Sequence, residues 1–282
     1  MSLVATEIHY RLPGRGAGVF PGAHRSSAVG GGDRYHGVTE FFRHPDARHL
    51  DLRRTWLDPY RRPYVKTFEQ RSAVTVVAAV DLSASMGVFP ERLARVSALI
   101  QGLAWGSRRL GDRFGCVGFD DRIRLDTAVP PGRATGAVVP WCRWMTSACR
   151  GRSAVGALAL RDWLPGRRCL VVLISDFHWP ETLLRSVLAG LSEHWVVPVV
   201  LCDRRETAGW PRWGIRRVVD AESGRERLIW LRPGWRRALE TRYRDRRARL
   251  RRLFQAATLP ALWWSETMGM SQVSHHFERL GT

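Results

Sequence analysis

The chain has 282 residues, of which 45% are hydrophobic, so it is long enough to bury one large core or two modest ones. No apolar run reaches the roughly 18 to 20 residues that a membrane-spanning helix needs, and no secretory signal opens the sequence, which predicts a cytoplasmic protein without a transmembrane segment. The formal net charge of +19 predicts an acidic counterpart, which could be nucleic acid, a membrane surface or an acidic protein face.

The five cysteines form an odd set without a CxxC pair. Three of them lie in apolar runs that are typical of strands. We therefore expect buried, reduced thiols rather than disulfides or zinc ligands. The cysteines are Cys116, Cys142, Cys149, Cys169 and Cys202.

Residues 1–71 carry little apolar periodicity. Residues 1 to about 35 are rich in glycine, which predicts an extended N-terminal arm. Residues 40–70 are polar and aromatic, with too few spaced apolar residues to build a core of their own. We expect the whole of 1–71 to pack against a main domain formed by residues 72–282.

A buried parallel sheet is predicted from Val74 onwards. The run VTVVAAV is continuously apolar and ends at Asp81, as expected for a strand that is buried on both faces. After the following loop, apolar residues recur at helical spacing between Leu93 and Leu110. The next two runs, FGCVGF and RIRLDTAV, are separated only by Asp120 and Asp121. That link is too short for a parallel crossover and predicts a hairpin with one antiparallel edge strand.

Strands and helices continue to alternate towards the C-terminus. CLVVLI leads to Ser175 and Asp176, and VVPVVL predicts a further strand in which Pro198 marks the beginning or a bulge. Two more strands are expected around a turn at Ser223 and Gly224, followed by a long arginine-rich helix. The order predicts an α/β fold, a doubly wound, mostly parallel sheet with helices on both faces.

This topology also predicts where a site would lie. Open parallel sheets bind ligands beyond the carboxyl ends of their strands, where the strand order reverses. Asp81 and Asp176 each follow such a strand, and Ser83 and Ser85 lie in the adjoining loop. A set of oxygen ligands suits a hard cation such as Mg²⁺, Ca²⁺ or Mn²⁺. The alternative is that Asp and Ser only cap the helix that follows.

The segment DLSASMG resembles the DxSxS signature of the metal-ion-dependent adhesion site in von Willebrand factor A domains. In that family a third loop contributes a threonine and a fourth an aspartate, and the matching positions here are Ser153 and Asp176. The resemblance implies that Ser83 and Ser85 bind the cation directly, that the other residues complete its shell directly or through water, and that a partner carboxylate fills an open position. Serine lacks the methyl group that restricts a threonine rotamer, so we expect weaker cation binding at Ser153.

The upstream residues are similar to those of bacterial A-domain proteins that are paired with MoxR-type AAA+ ATPases. Two features differ: His44 and Pro45 replace an expected glycine, and the two N-terminal membrane helices common in that family are missing, as in the short MxaS type. The resemblance implies an adaptor or co-chaperone that binds such an ATPase and its client protein during protein or metalloenzyme maturation. The residues that keep the family's order are Glu40, Phe41, Asp46, Arg48, Leu50, Asp51 and Arg53.

Enzymatic activity is not expected. A phosphohydrolase with an aspartate nucleophile normally uses DxD and a downstream lysine, whereas position 83 is Ser83 and the sole lysine, Lys66, lies upstream. His178 could act as a base or a ligand, but its neighbours favour a loop or helix-start residue.

Nucleic-acid binding is the second alternative. It is suggested by GWRRALETRYRDRRARLRRLF, whose helix would carry arginines on its outer face and an apolar stripe on the other. A solvated or acidic-partner-facing helix explains the same pattern. Phosphate binding would weaken steeply with added salt, which distinguishes the two.

Overall fold

A computed structural model describes residues 7–14, 21–30, 34–208, 210–211, 213–222 and 224–281. Within these ranges the chain forms eleven β-strands and seven α-helices. The strands are β1 Pro21–Gly30, β2 Arg34–Glu40, β3 Tyr64–Ser72, β4 Thr75–Asp81, β5 Arg113–Phe119, β6 Val129–Gly132, β7 Leu170–Ser175, β8 Trp195–Leu201, β9 Gly214–Val219, β10 Glu226–Leu231 and β11 Leu262–Trp264. The α-helices are α1 Leu52–Leu57, α2 Pro90–Leu110, α3 Val138–Ala148, α4 Leu160–Trp163, α5 Glu181–Gly190, α6 Pro233–Ala256 and α7 Met270–Glu278.

Six strands form the central sheet, in the order β11-β8-β7-β4-β5-β6. All neighbouring pairs are parallel except β5 and β6. The predicted α/β fold with a mostly parallel sheet and one antiparallel edge strand is therefore confirmed. Because β4 and β7 are neighbours, their carboxyl ends meet at the same edge of the sheet.

Helices cover both faces of this sheet. Successive side chains of a strand point to opposite faces, and in β4 the residues Val76 and Ala78 lie in one core cluster while Val77 and Ala79 lie in the other. The first cluster includes residues of α2, α3 and α7, and the second includes residues of α4, α5 and α6. A strand covered on both sides needs a continuous apolar run, which is why VTVVAAV lacks alternation.

The antiparallel edge strand lies later in the chain than RIRLDTAV suggests. The RIRLDTAV run pairs with the end of β5 through a bridge between Phe119 and Ile123. The edge strand itself, β6, begins at Val129. Asp120 holds the intervening turn because its side chain accepts hydrogen bonds from Arg122 N at 3.2 Å and Arg124 Nε at 2.9 Å. Such local side-chain bonds compete with a strand ladder, so residues 120–128 form a loop.

Pro198 lies in the middle of β8 rather than at its beginning. β7 and β8 keep their register through this residue, so there is no bulge between them. β11 pairs with β8 only from Val199 onwards. One side of β8 therefore has no partner strand at Pro198 within the described ranges, and a residue without an N–H is tolerated at such a position.

The N-terminal region is more ordered than an extended arm. β1, β3 and β2 form a separate antiparallel sheet in that order, with β3 in the middle. Residues 1–6, 15–20 and 31–33 of the predicted arm lie outside the described residues. A glycine-rich strand can still pair because the ladder uses backbone groups, which the apolar pattern does not report.

A short segment before β1 packs into the core of the main sheet. Ile8 and Tyr10 are buried in the cluster that includes α2. Ile8 N donates to Gly102 O at 3.1 Å, and the Tyr10 hydroxyl donates to the Asp112 carboxylate. The segment is therefore part of the fold.

The last predicted hairpin is present as β9 and β10, which pair antiparallel to each other in a two-stranded sheet. Gly224 lies in the connecting turn with φ +66°, and Ser223 lies outside the described residues. The arginine-rich helix is α6. In the part of the chain that the structure describes, no helix combines the length and apolar character needed to cross a bilayer.

Candidate metal centre

Asp81 is the central acidic residue of the site. It is the last residue of β4 and is fully buried. Its Oδ1 accepts a hydrogen bond from Ser83 N at 2.8 Å. Its Oδ2 accepts from Ser175 Oγ at 2.7 Å and from Trp179 Nε1 at 2.9 Å. These donors fix the orientation of the carboxylate without neutralising its charge.

Ser83 and Ser85 bring two hydroxyl groups to the same edge. Their Oγ atoms lie 3.1 Å apart. Bonds of 2.0–2.1 Å in an octahedral Mg²⁺ site place neighbouring ligand oxygens about 2.9 Å apart. The spacing of the two hydroxyl groups therefore fits adjacent positions around one ion.

The Ser83 loop is held in place by a second loop, through backbone pairing. Ala84 N donates to Gly151 O at 2.8 Å, and Gly151 N donates to Leu82 O at 3.3 Å. The loop after β5 also approaches Gly151, so closely that a Cβ at this position would lie 2.2 Å from Asp120 Cβ. Position 151 therefore requires glycine.

Asp176 follows β7 and is also buried. Its Oδ1 accepts a hydrogen bond from His178 N at 3.1 Å. Between them, the buried Phe177 has φ +53°, which is a strained conformation for a bulky side chain. This turn orients the Asp176 carboxylate through the His178 N–H, and the charge of that carboxylate acts on the Asp81 carboxyl.

Arg92 of α2 also belongs to the site, although it was not among the predicted site residues. Its side chain is only 1% exposed. One Nη donates to Asp176 Oδ2 at 3.2 Å and, more weakly, to Ser85 O at 3.4 Å. The other Nη donates to Glu206 Oε1 at 2.6 Å. Arg92 therefore compensates the charge of two carboxylates that are largely shielded from water.

The spacing of apolar residues contains a signal for Arg92. Val96, Leu99 and Leu103 form a buried stripe on α2, at intervals of three and four residues. Arg92 lies four residues before Val96 and therefore on the same helix face. A cation on an apolar stripe requires a buried anionic partner, which is what Asp176 and Glu206 supply.

Ser153 is near the site, but its hydroxyl has a different partner. Ser153 Oγ donates to Asp121 Oδ1 at 2.7 Å, and Arg152 N donates to Asp121 Oδ2 at 3.1 Å. These hydrogen bonds lower the pKa of the Asp121 carboxyl. Gly151, two residues earlier, pairs with Ser83. The loop is thus adjacent to the site, while its serine hydroxyl points to Asp121.

His178 lies in the loop after β7 and contacts Glu206, the second carboxylate partner of Arg92. It precedes α5, and its Nε2 lies 3.4 Å from Glu206 Oε2. Arg246 of α6 approaches the same ring and donates to Asp176 O at 2.6 Å. His178 therefore links the loop after β7 to α6.

The electrostatics of the site favour a cation. Burial, and then the neighbouring Asp176 carboxylate, raise the pKa of Asp81 to about 6. The donors to Asp81 that the structure describes are all neutral groups. A bound cation would offset both the burial of this charge and its repulsion by Asp176.

The chemistry of the donors restricts the kind of cation. Among the described residues, no three His, Cys, Asp or Glu side chains are grouped as a metal site. A cation here must therefore use serine oxygens in addition to the two carboxylates. Hydroxyl and carboxylate oxygens are ligands that Mg²⁺ and Ca²⁺ accept, so the residues present fit a hard divalent cation.

Fold and site together define a protein with an open α/β sheet and an oxygen-lined site at the carboxyl ends of two neighbouring strands. Residues 45–249 match the model of a family described as "Protein of unknown function DUF58". The match covers more than half of the chain, which therefore belongs to this family.

The known proteins that are similar to this chain include the following three. The "Uncharacterized protein in moxR 3'region" of Paracoccus denitrificans is 41% identical over 90 residues, which span 32% of this chain and 86% of that protein. The structure of the conserved hypothetical protein BatB from Bacteroides thetaiotaomicron has a TM-score of 0.47 at 12% identity, covering 74% of this chain and 98% of that chain. An aerotolerance-related membrane protein from Bacteroides fragilis has a TM-score of 0.42 at 16% identity, covering 73% and 98%.

Proposed function

We propose that this protein binds a partner protein through a divalent cation held by Asp81, Ser83, Ser85 and Asp176. The observation that carries this proposal is the convergence of two buried carboxylates and two hydroxyl groups at one edge of the sheet. Mg²⁺ is the cation that this donor set suits best, and Ca²⁺ or Mn²⁺ could replace it. When bound, the cation would attract a carboxylate of the partner to an open position in its shell.

Ser153 is a further ligand in this proposal. The pairing of Gly151 with Ser83 keeps its loop beside the site. Its hydroxyl would have to leave Asp121, to which it donates at 2.7 Å, before it could reach the cation. Movement of this loop would then couple cation binding to partner binding.

The partner that we propose is a MoxR-type AAA+ ATPase, together with its client protein. The name of the Paracoccus denitrificans relative refers to the moxR 3′ region, and the residues from Glu40 to Arg53 resemble the upstream signature of proteins paired with such ATPases. In this role the chain is an adaptor or co-chaperone in protein or metalloenzyme maturation. The net charge of +19 favours an acidic surface on the partner.

Binding rather than catalysis is the proposed role of Asp81. A nucleophilic aspartate must reach the substrate, whereas this carboxylate is fully buried and accepts hydrogen bonds on both oxygens. Its hydrogen bond from Ser83 N holds it in the loop that carries the Ser83 and Ser85 hydroxyl groups. This arrangement suits the holding of an ion.

Capture of the purified cognate ATPase on the immobilised full chain tests the proposal. Mg²⁺ should support capture, and EDTA should remove it. Asp81→Ala is expected to abolish the Mg²⁺-dependent part because it deletes a carboxylate that attracts the cation. Asp81→Asn keeps the shape of the side chain without its charge and should behave in the same way.

Asp162→Ala is the matched control, since Asp162 is exposed and pairs only with its neighbour Arg161 among the contacts described. This variant should capture the ATPase as well as the unchanged chain does. Thermal melting checks that each variant is folded. Capture that ignores EDTA and both Asp81 substitutions would rule out the cation-dependent mechanism.

A further inference from the structure

A pocket opens directly beside the candidate metal centre. It lies between the beginning of α2, the short helical turn Arg204–Glu206 and the middle of α6, and its volume is about 410 Å³. Ser85 and Asp176 belong both to its lining and to the metal centre. A ligand that contacts a cation at the centre could therefore extend into this pocket.

Most of the surface area that lines the pocket is apolar, and aromatic side chains contribute to it. Phe89 lies at the start of α2, and Leu239 and Tyr243 are one turn apart on α6. Trp210 completes this side and packs against Trp235, with ring centroids 4.9 Å apart. Such a lining favours a large apolar side chain, because burying it removes its surface from water.

More positively charged than negatively charged side chains line the pocket. Four arginines and two carboxylates contribute to the lining. Both carboxylates already have cationic partners: Arg92 is bonded to Asp176 and to Glu206. The arginines are Arg92, Arg205, Arg242 and Arg246.

Among the residues that the structure describes, Arg242 is the arginine of this set without a hydrogen-bonding or ionic partner. Arg205 pairs with Asp203 and Glu91, whereas Arg242 is exposed and has no ion pair or hydrogen bond with any residue that the structure describes. A guanidinium at the rim of an apolar pocket is suited to a carboxylate. A ligand with an apolar side chain in the pocket and an acidic group at its rim would match both features.

From these contacts we infer that the pocket binds an acidic peptide segment of the partner and takes up an aromatic or large aliphatic side chain. The carboxylate contact with the cation rests on the proposed function, whereas the contacts with Leu239 and Arg242 are independent of it. The volume lies at the lower end of the roughly 300–1,000 Å³ typical of ligand sites, which suits one anchoring side chain. Specificity then comes from the combination of an acid and an apolar neighbour.

Random decapeptides displayed on phage provide the probe. We expect selection on the full chain in Mg²⁺ to enrich peptides in which an acidic residue lies within two positions of an aromatic or large aliphatic residue. Enrichment of acidic peptides without an apolar preference would overturn the inference, because the surface charge alone would explain it. Failure to enrich any peptide would overturn it as well.

Variants of α6 locate the bound peptide. Arg242→Glu reverses the free charge, and Leu239→Arg fills the apolar pocket; each is expected to weaken binding of the best synthetic peptide by about tenfold or more, as lost anchor contacts do. Arg249→Glu is the control, because Arg249 is exposed on the same helix and does not line the pocket. It makes the same change of charge and should leave the affinity within about twofold. If Leu239→Arg fails to fold, the comparison of peptide affinity between Arg242→Glu and Arg249→Glu still tests the inference.

The same measurements separate this inference from the proposed function. Peptide binding that needs Mg²⁺ and Asp81 but is unchanged by the substitutions at 239 and 242 would overturn the inference about the pocket. It would leave the proposed function of the metal centre intact. Peptide binding that is lost in both pocket variants but persists in EDTA and in Asp81→Ala would support the inference about the pocket. It would overturn the proposed cation-dependent function.

Discussion

Arg92 is the residue with the largest expected effect on stability. Arg92→Ala would leave the buried Asp176 carboxylate, and the largely buried Glu206, without their guanidinium partner. Breaking a buried pair in this way typically lowers the free energy of unfolding by about 3–5 kcal/mol. Urea-induced unfolding would measure the loss. Added Mg²⁺ should recover part of it if a cation can compensate Asp176.

Arg109→Ala is the control for this prediction. Arg109 also lies on α2, but it is largely exposed and pairs with Glu7 on the surface. Exposed pairs contribute about 0–1 kcal/mol. Equal losses for Arg92→Ala and Arg109→Ala would contradict the role that the structure gives to the buried pair.

The sequence predicts the residues of the candidate metal centre that lie at strand ends. Asp81 and Asp176 could be placed because parallel strands bring their carboxyl ends to one edge. The Ser153 loop could be placed near them, but not the hydrogen bond from Ser153 to Asp121, which depends on how two loops pack. The same holds for Trp179, whose contact with Asp81 joins residues 98 positions apart in the chain.

Among the secondary-structure elements, α2 has a second function besides carrying Arg92: it provides a surface for the segment before β1. In α2, a Cβ added at Gly106 would lie 2.1 Å from Ile8 O. Gly102, one turn earlier, accepts the backbone hydrogen bond from Ile8 N. This helix therefore uses glycine to let another backbone approach.

Gly106→Ala tests this packing, because the sign of its effect on the free energy of unfolding depends on whether the segment is packed there. In a helix without the packed segment, alanine would stabilise by about 1 kcal/mol relative to glycine. Because the added methyl group would displace Ile8, we expect the free energy of unfolding to decrease instead. Gly190→Ala on α5 is the control, since its added Cβ meets only flexible Arg161 atoms at 3.5 Å or more and should not destabilise. Stabilisation by Gly106→Ala would contradict the packing.

Elements with a continuous apolar run were predicted well, and elements fixed by local polar contacts were not. VTVVAAV could be predicted as a doubly covered strand because a short, β-branched and continuously apolar run is typical of one. The loop after β5 depends on hydrogen bonds from Arg122 and Arg124 to the Asp120 side chain, and apolar spacing carries no record of those bonds. The glycine-rich β1 was missed because it pairs through its backbone.

At the scale of the whole molecule, the two cores on either side of the sheet bury most of the thiols. All five cysteines are free, and only Cys149 is partly exposed. The burial of the other four agrees with the expectation of buried thiols. Burial raises the pKa of Cys142 to about 11 and that of Cys169 to about 12.

These pKa shifts predict slow labelling by a thiol reagent. A raised pKa means less thiolate at a given pH, so at pH 8 the folded chain should react far more slowly than an ordinary thiol. In guanidinium chloride all five cysteines should react rapidly, which provides the control. Rapid labelling of several cysteines in the folded chain would show that the cores open more readily than this packing implies.

The segment that carries Ile8 also contacts α7, at the other end of the chain. His9 N donates to Ser274 Oγ at 3.3 Å across 265 positions, and Arg11 N donates to Phe277 O at 3.1 Å. During synthesis at about 5–20 residues per second, this segment would wait roughly 13 to 53 s for α7 to be made. Until then the nascent chain leaves Ile8 and the core surface beneath it without part of their cover. Its final compaction must therefore follow translation of the last helix.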